Sequence, residues 1–173
     1  MKRLLHLALA FSLIACSEAS DKLTIDGNQF VGSDYTLTIP EDWVIKEDFM
    51  GSDLIATNAE MADSPQFSDG IAVTLENLPE SISEEEYVEL STKLLQDVMG
   101  AEVSETEPYE LNGVDATRFR YQMTMGNRTL DNDAILILQE DAAYIITLTT
   151  QAGEGRDARI EPLLEVAKTF EFQ

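Results

Sequence analysis

The chain predicts an α+β fold, a mostly antiparallel sheet with helices packed on it. Three observations predict it. Short runs of apolar–polar alternation with period two recur along the chain, tight-turn pairs join most of them, and only two stretches carry helical spacing.

Tyr35-Thr36-Leu37-Thr38-Ile39 alternates cleanly and stops at Pro40. Trp43, Val44 and Ile45 predict a short strand before the turn at Gly51, and Leu54 to Thr57 another. Asn58 to Asp69 reads as a loop, rich in acids and serine with Pro65. Ile71, Val73 and Leu75 alternate with Ala72, Thr74 and Glu76, and Pro79 closes that strand. Ser83-Glu84-Glu85-Glu86 is a helix start: a hydroxyl cap, a glutamate three residues on, and negative charge against the positive end of the helix. Tyr87, Val88, Ser91, Leu94, Leu95 and Val98 fall on one face of that helix, and Gly100 ends it.

The next part reads as a meander. Val103 to Leu111 is a strand, Asn112-Gly113 a tight turn, and Val114 to Met125 a strand with Phe119, Tyr121, Met123 and Met125 on one side. Gly126-Asn127 offers another turn. Ala134 to Leu138 is apolar on both sides, as a strand covered on both faces would be. Asp141-Ala142 turns into Tyr144 to Thr149. Gly153 and Gly155 precede a last helix that packs through Leu163, Leu164, Val166, Ala167 and Phe170, and Pro162 is expected near its first turn, where a missing N–H costs nothing. These elements predict about six or seven strands and two helices, with the helices covering one or both faces of the sheet.

Tyr35-Thr36-Leu37-Thr38-Ile39-Pro40-Glu41-Asp42-Trp43 resembles the opening of the PsbP-like fold, Leu111 to Ala116 resembles its hairpin before a long strand, and Thr169-Phe170-Glu171-Phe172 is similar to its ending. DcrB-type bacterial envelope lipoproteins belong to that group. The resemblance spans about Phe30 to Gln173 and implies an α/β/α sandwich around a central antiparallel sheet. It also implies a binding or assembly module in place of an enzyme, with no functional residue carried over.

The amino terminus agrees with the lipoprotein comparison. Lys2 and Arg3 precede an apolar run from Leu4 to Leu13, too short to span a bilayer, and Leu13-Ile14-Ala15-Cys16 looks like a lipobox. Residues 1–15 are therefore expected to be a removed signal peptide, Cys16 the lipid-bearing residue, 16–28 a tether, and 29–173 one globular domain. A diacylglyceryl group and palmitate on Cys16 would hold the protein to a membrane, because two or more acyl chains anchor firmly where one does not. Ser17 stands where an aspartate would favour inner-membrane retention, so in a diderm host the outer membrane, facing the periplasm, is expected.

Composition bounds the chemistry. The 173 residues hold 33 acids against 11 Lys and Arg, a formal charge of −22. Both bases of 1–15 leave with the leader, so the mature chain carries nine bases and a charge of −24. Such a surface repels phosphate backbones, and nucleic acid is excluded as a partner. His6 is the only histidine and Cys16 the only cysteine. The mature domain therefore has no imidazole and no thiol apart from the acylated one, which removes Ser-His-Asp and Cys-His catalysis, Cys/His zinc sites and disulfides.

Arg118, Arg120 and Arg128 are a third of the mature chain's bases and gather near one hairpin. They fit either an anion clamp or cross-strand pairing with acids, and the pairing is favoured. Asp131-Asn132-Asp133, Glu84 to Glu86, and Glu102 with Glu105 and Glu107 lack the spacing of a calcium loop and read as solvated acids. Trp43, Met61, Met123 and Met125 read as core packing before they read as a ligand groove. Asn127-Arg128-Thr129 matches a glycosylation pattern without force in a bacterial lipoprotein. The expectation is a non-catalytic envelope module with no cofactor, an envelope protein as partner, and no catalytic or metal residue. The alternatives are a small-ligand carrier and, behind it, an acid- or metal-dependent hydrolase.

Overall fold

A computed structural model of the chain describes residues 24–26, 28–49, 51–58, 69–78, 82–139 and 141–173. Cys16, the leader, Ser17 and Met61 lie outside the described residues.

Eleven strands and two helices are described: β1 (Thr24–Asp26), β2 (Gln29–Val31), β3 (Tyr35–Thr38), β4 (Trp43–Phe49), β5 (Ser52–Asn58), β6 (Gly70–Asn77), α1 (Glu84–Met99), β7 (Glu102–Leu111), β8 (Val114–Met125), β9 (Arg128–Gln139), β10 (Ala142–Gln151), α2 (Arg156–Ala167) and β11 (Glu171–Phe172). Seven strands form the central sheet in the order β4-β5-β6-β10-β9-β8-β7. Every described pairing in it is antiparallel. One helix lies on each face, so the architecture is the α/β/α sandwich that the resemblance implies.

The strand count exceeds the expected six or seven because four short strands form a second sheet, β1-β2-β3-β11. β1 draws Thr24–Asp26, part of the expected 16–28 tether, into pairing with β2. The Tyr35 strand belongs to this small sheet, and β11 closes it by pairing Glu171 with Thr36 and Phe172 with Tyr35. An aromatic cluster holds the two sheets together. Tyr35 stacks on Phe170 with ring centroids 5.0 Å apart, and Phe172 meets Tyr144 of β10 edge-on, also at 5.0 Å. Asn112 of the β7–β8 turn donates its side-chain amide to the carbonyls of Lys168 and Phe170. The chain end is therefore packed into the main core.

Local signals act where they were expected. Asn112 and Gly113 adopt φ of 53° and 81°, the left-handed pair that a two-residue hairpin needs. Ser83 Oγ accepts the Glu86 N–H at 3.2 Å, and Gly100 ends α1 in the left-handed region.

Two expectations are corrected. α2 begins at Arg156, so Pro162 lies inside the helix and not near its start. Pro162 and Ala158, whose carbonyl it leaves unbonded, are both exposed, so water can hydrate the orphaned oxygen. The apolar face of α1 is only partly buried. Tyr87 is buried and Val88, Ser91 and Leu95 are half-buried, but Leu94 and Val98 are 60% and 71% exposed. Helical periodicity gave the angular sector correctly, but the sheet does not seal it. Leu94 and Leu95 instead line a cavity of about 160 Å³ with Tyr121, Ile145 and Thr147.

Candidate functional site: an acidic groove beside an edge strand

Among the described strands β7 ends the central sheet and pairs with β8 alone, so its outer side faces no described strand. The first turn of α1 runs beside it. That turn is fixed by the Ser83 cap and by the Thr117 hydroxyl of β8, which donates to the Glu84 carboxylate. Between helix and strand lies an open groove of about 710 Å³, lined by Ser83, Glu84, Glu85, Val88, Thr106, Glu107, Pro108, Tyr109, Asp115, Ala116 and Thr117. On the α1 face Val88 and Pro108 supply apolar surface and Glu84, Glu85 and Asp115 supply three carboxylates, while strand alternation turns the side chains of Glu107, Tyr109 and Ala116 to the opposite face. No Lys or Arg is among the lining residues. Low-dielectric walls bearing one sign of charge concentrate counterions, so the groove is suited to cationic ligands.

Behind it, on the opposite face of the sheet, lies a buried charge cluster. Asp133 of β9 is fully buried, and its two carboxylate oxygens accept hydrogen bonds from Arg118 of β8 and Arg156 of α2. Arg120 Nε is 3.6 Å from the same carboxylate. Glu107 stands 3.9 Å from both Arg118 and Arg120, and Asp131 4.0 Å from Arg156. The Arg118 guanidinium also lies over the Tyr109 ring at 5.6 Å. Of the two arginine readings, pairing is the one observed: the carboxylate in the clamp is the protein's own. Arg128 opens β9 opposite Met125, remote in register from Asp133. Sequence reasoning missed Arg156, because nothing in local spacing brings the start of α2 to the middle of β9.

The remaining candidates occupy ordinary positions. Asp131 accepts from Gln122 and faces Arg156, while Asn132 points to the other face and accepts from the Thr149 hydroxyl. Strand alternation thus splits Asp131-Asn132-Asp133 between two environments. Glu84 to Glu86 are exposed on the first turn of α1, and Glu102 is exposed at the start of β7. Among the described residues, no three Asp, Glu, His or Cys side chains converge as metal ligands. Trp43 is half-buried against the main core, and its backbone N–H donates to the Pro40 carbonyl at 3.0 Å. Met123 is half-buried and Met125 is 54% exposed.

Several phenols and two carboxyls are pushed toward their neutral forms. Burial raises Tyr121 to about 12. Tyr87 is raised by burial and by its 2.6 Å hydrogen bond to Glu76. Burial, then the nearby Asp53 charge, raises Tyr35. Asp53 is itself raised by burial and by Asp48, and Asp69 by burial.

No protein-family model matches this sequence, and no curated protein matches it. Solved structures do. Cyanobacterial PsbP (CyanoP) from Synechocystis sp. PCC 6803 superposes with a TM-score of 0.60 at 16% identity, over 80% of this chain and 86% of that one. LpqN of Mycobacterium tuberculosis, described as involved in cell envelope biogenesis, gives 0.58 at 15% identity, over 80% and 83%. The Ran-binding protein Mog1p of Saccharomyces cerevisiae gives 0.53 at 13% identity, over 79% and 89%. The fold is PsbP-like. At these identities the likeness is one of fold, and the groove and charge cluster of this PsbP-like domain are argued from its own residues.

Proposed function

We propose that the protein is a lipid-anchored module of the bacterial cell envelope, comparable to DcrB-type lipoproteins, that binds another envelope component and performs no chemistry of its own. The observation that carries this reading is the position of Cys16, one residue after Leu13-Ile14-Ala15 and a short apolar run. No helix among the described residues is long and apolar enough to cross a membrane, so attachment falls to the acyl chains. The absence of histidine and of a second cysteine from 16–173 supports binding over catalysis. LpqN, a neighbour in fold, is described as acting in envelope biogenesis, which supports the same setting. Placement in the outer membrane follows from Ser17 in a diderm host.

The open groove beside β7 favours a protein segment over a small-molecule cargo. Small-molecule sites are clefts or cavities of roughly 300–1,000 Å³ that bury most of the ligand, whereas this groove and a cleft of about 530 Å³ beside Tyr144 and Phe172 are both open to solvent. The cavity under α1 is about 160 Å³.

The test is expression of the full chain with its own leader in a diderm bacterium. Mass spectrometry is expected to find an amino-terminal Cys16 bearing diacylglyceryl and palmitate, and Cys16→Ser is expected to release the protein from membranes. A protein that keeps its leader, with residue 16 unmodified, overturns the reading.

A further inference from the structure

We propose that the groove between α1 and β7 takes an extended segment of a partner protein, bearing lysine or arginine, which adds to β7 as a further antiparallel or parallel strand of the sheet. The inference deepens the binding-module reading and rests on it. Three features of the groove define this occupant.

The first is the edge itself. β7 is ten residues long, and its outer N–H and C=O groups meet no described strand of the sheet. An incoming backbone can satisfy such groups without any change in the host fold. The part of β7 that lines the groove, Thr106 to Tyr109, corresponds to about 13 Å of strand, room for four or so residues of a partner. Pro108 removes one donor from that stretch, so the carbonyls of β7 carry most of the pairing.

The second is the wall. α1 stands alongside and offers Val88 beside the apolar surface of Pro108. Alternate side chains of an added strand would point toward α1, where the apolar surface and the acids lie together, so a long cationic side chain can pack its methylenes on Val88 and Pro108 and set its charge against Glu84, Glu85 or Asp115.

The third is charge. Glu84, Glu85 and Asp115 line the α1 side of the groove, and no Lys or Arg is among its lining residues. A second copy of this chain would bring its own β7, with Glu102, Glu107 and Glu110, onto the same acids, and the net charge of −22 opposes that approach. A basic segment meets no such barrier, and its attraction is long-ranged. The same acids that blunt the edge against self-pairing therefore select the partner.

The probe is a short fluorescein-labelled peptide alternating lysine with valine, added to the full mature chain at low salt. Fluorescence anisotropy is expected to show saturable binding that weakens with salt, and amide hydrogen exchange is expected to slow within 104–110. The pair Glu85→Lys and Asp115→Lys, both exposed side chains, is expected to weaken binding by about tenfold or more. Glu171→Lys, an equal change per site on exposed β11, is expected to leave it within about twofold. A peptide N-methylated at every amide keeps its charge but has no N–H to donate along either edge, and it is expected not to bind. Absence of binding, equal binding of the methylated peptide, equal loss from Glu171→Lys, or protection confined to other strands would each overturn the proposal. If the peptide fails while Cys16 is found acylated, the anchored-module reading stands and only this assignment of its site falls.

Discussion

The two faces of the central sheet are built from the same strands and finished differently. On the α2 face, the helix and the small sheet close over Leu54, Ile71, Val73, Ile135, Ile137, Ile146 and Leu148, all at most 1% exposed. On the α1 face, the fully apolar buried set is Tyr87, Phe119, Ala134, Leu136 and Ala143, and two of those five are alanines. The single helix on that face leaves Leu90, Leu94 and Val98 exposed and flanks an open groove. Because burial scales with apolar area removed from water, the α2 face carries most of the stability, and the α1 face keeps surface available for contact.

The largest expected effect sits where the α2 face buries charge. Asp133→Ala removes the fully buried carboxylate shared by Arg118, Arg120 and Arg156 and leaves three half-buried cations facing one another. Breaking a buried ion pair from one side costs about 3–5 kcal/mol. Urea denaturation is expected to show a loss of that size, and a loss under 1 kcal/mol would mean that Glu107 and Asp131 suffice to hold the three guanidinia.

Next comes an apolar truncation on the same face. Leu148 is fully buried in the middle of β10. Leu148→Ala is expected to cost about 3 kcal/mol, the transfer term plus the cavity. Equal costs for this change and for an exposed leucine of α1 would erase the distinction between the faces.

That distinction was only half legible in the sequence. Alternation located the strands, because period two needs only neighbours in the chain, and the Asn112-Gly113 and Ser83 signals fixed a turn and a helix start for local stereochemical reasons. Which face each strand seals depends on what lies over it. Tyr35 to Thr38 alternates as well as any strand, yet belongs to the small sheet, and that placement follows from its pairing with β2 and β11 at opposite ends of the chain. Leu94 and Val98 carry the helical period of a buried stripe but meet no cover. The groove had the weakest signal of all, since it arises from the free edge of β7 and the placement of α1, neither of which has a residue pattern of its own. Its acids were visible as a composition, and only the fold gathers Glu84, Glu85 and Asp115 on one side.

A smaller effect concerns acid. Burial holds the Asp53 and Asp69 carboxyls above their ordinary value of 3.8. The folded state therefore binds more protons than the unfolded state. The stability so gained is complete below that ordinary value and is lost as pH rises through the raised one. Relief of self-repulsion among the excess carboxylates acts in the same direction. Melting at low salt is expected at a higher temperature near pH 5 than near pH 8. Asp53→Asn is expected to flatten part of that slope, and an unchanged slope would assign it to the surface acids alone.

The smallest expected effect is the most exacting test of the comparison. Leu94 lies on α1 in the sector that periodicity marks as core, but it is 60% exposed. Leu94→Ser removes an apolar side chain that the folded state has not buried, so the transfer penalty is small and the cost is mainly a few tenths of a kcal/mol of helix propensity, about 0.5 kcal/mol. The same leucine-sized loss at Leu148 is expected to cost several times more. If Leu94→Ser instead costs about 2 kcal/mol, the upper side of α1 is covered in solution, and the α1 face is a second core. If the cost stays small, α1 holds an apolar stripe at Leu90, Leu94 and Val98 that folding alone does not need, on the same helix that walls the groove.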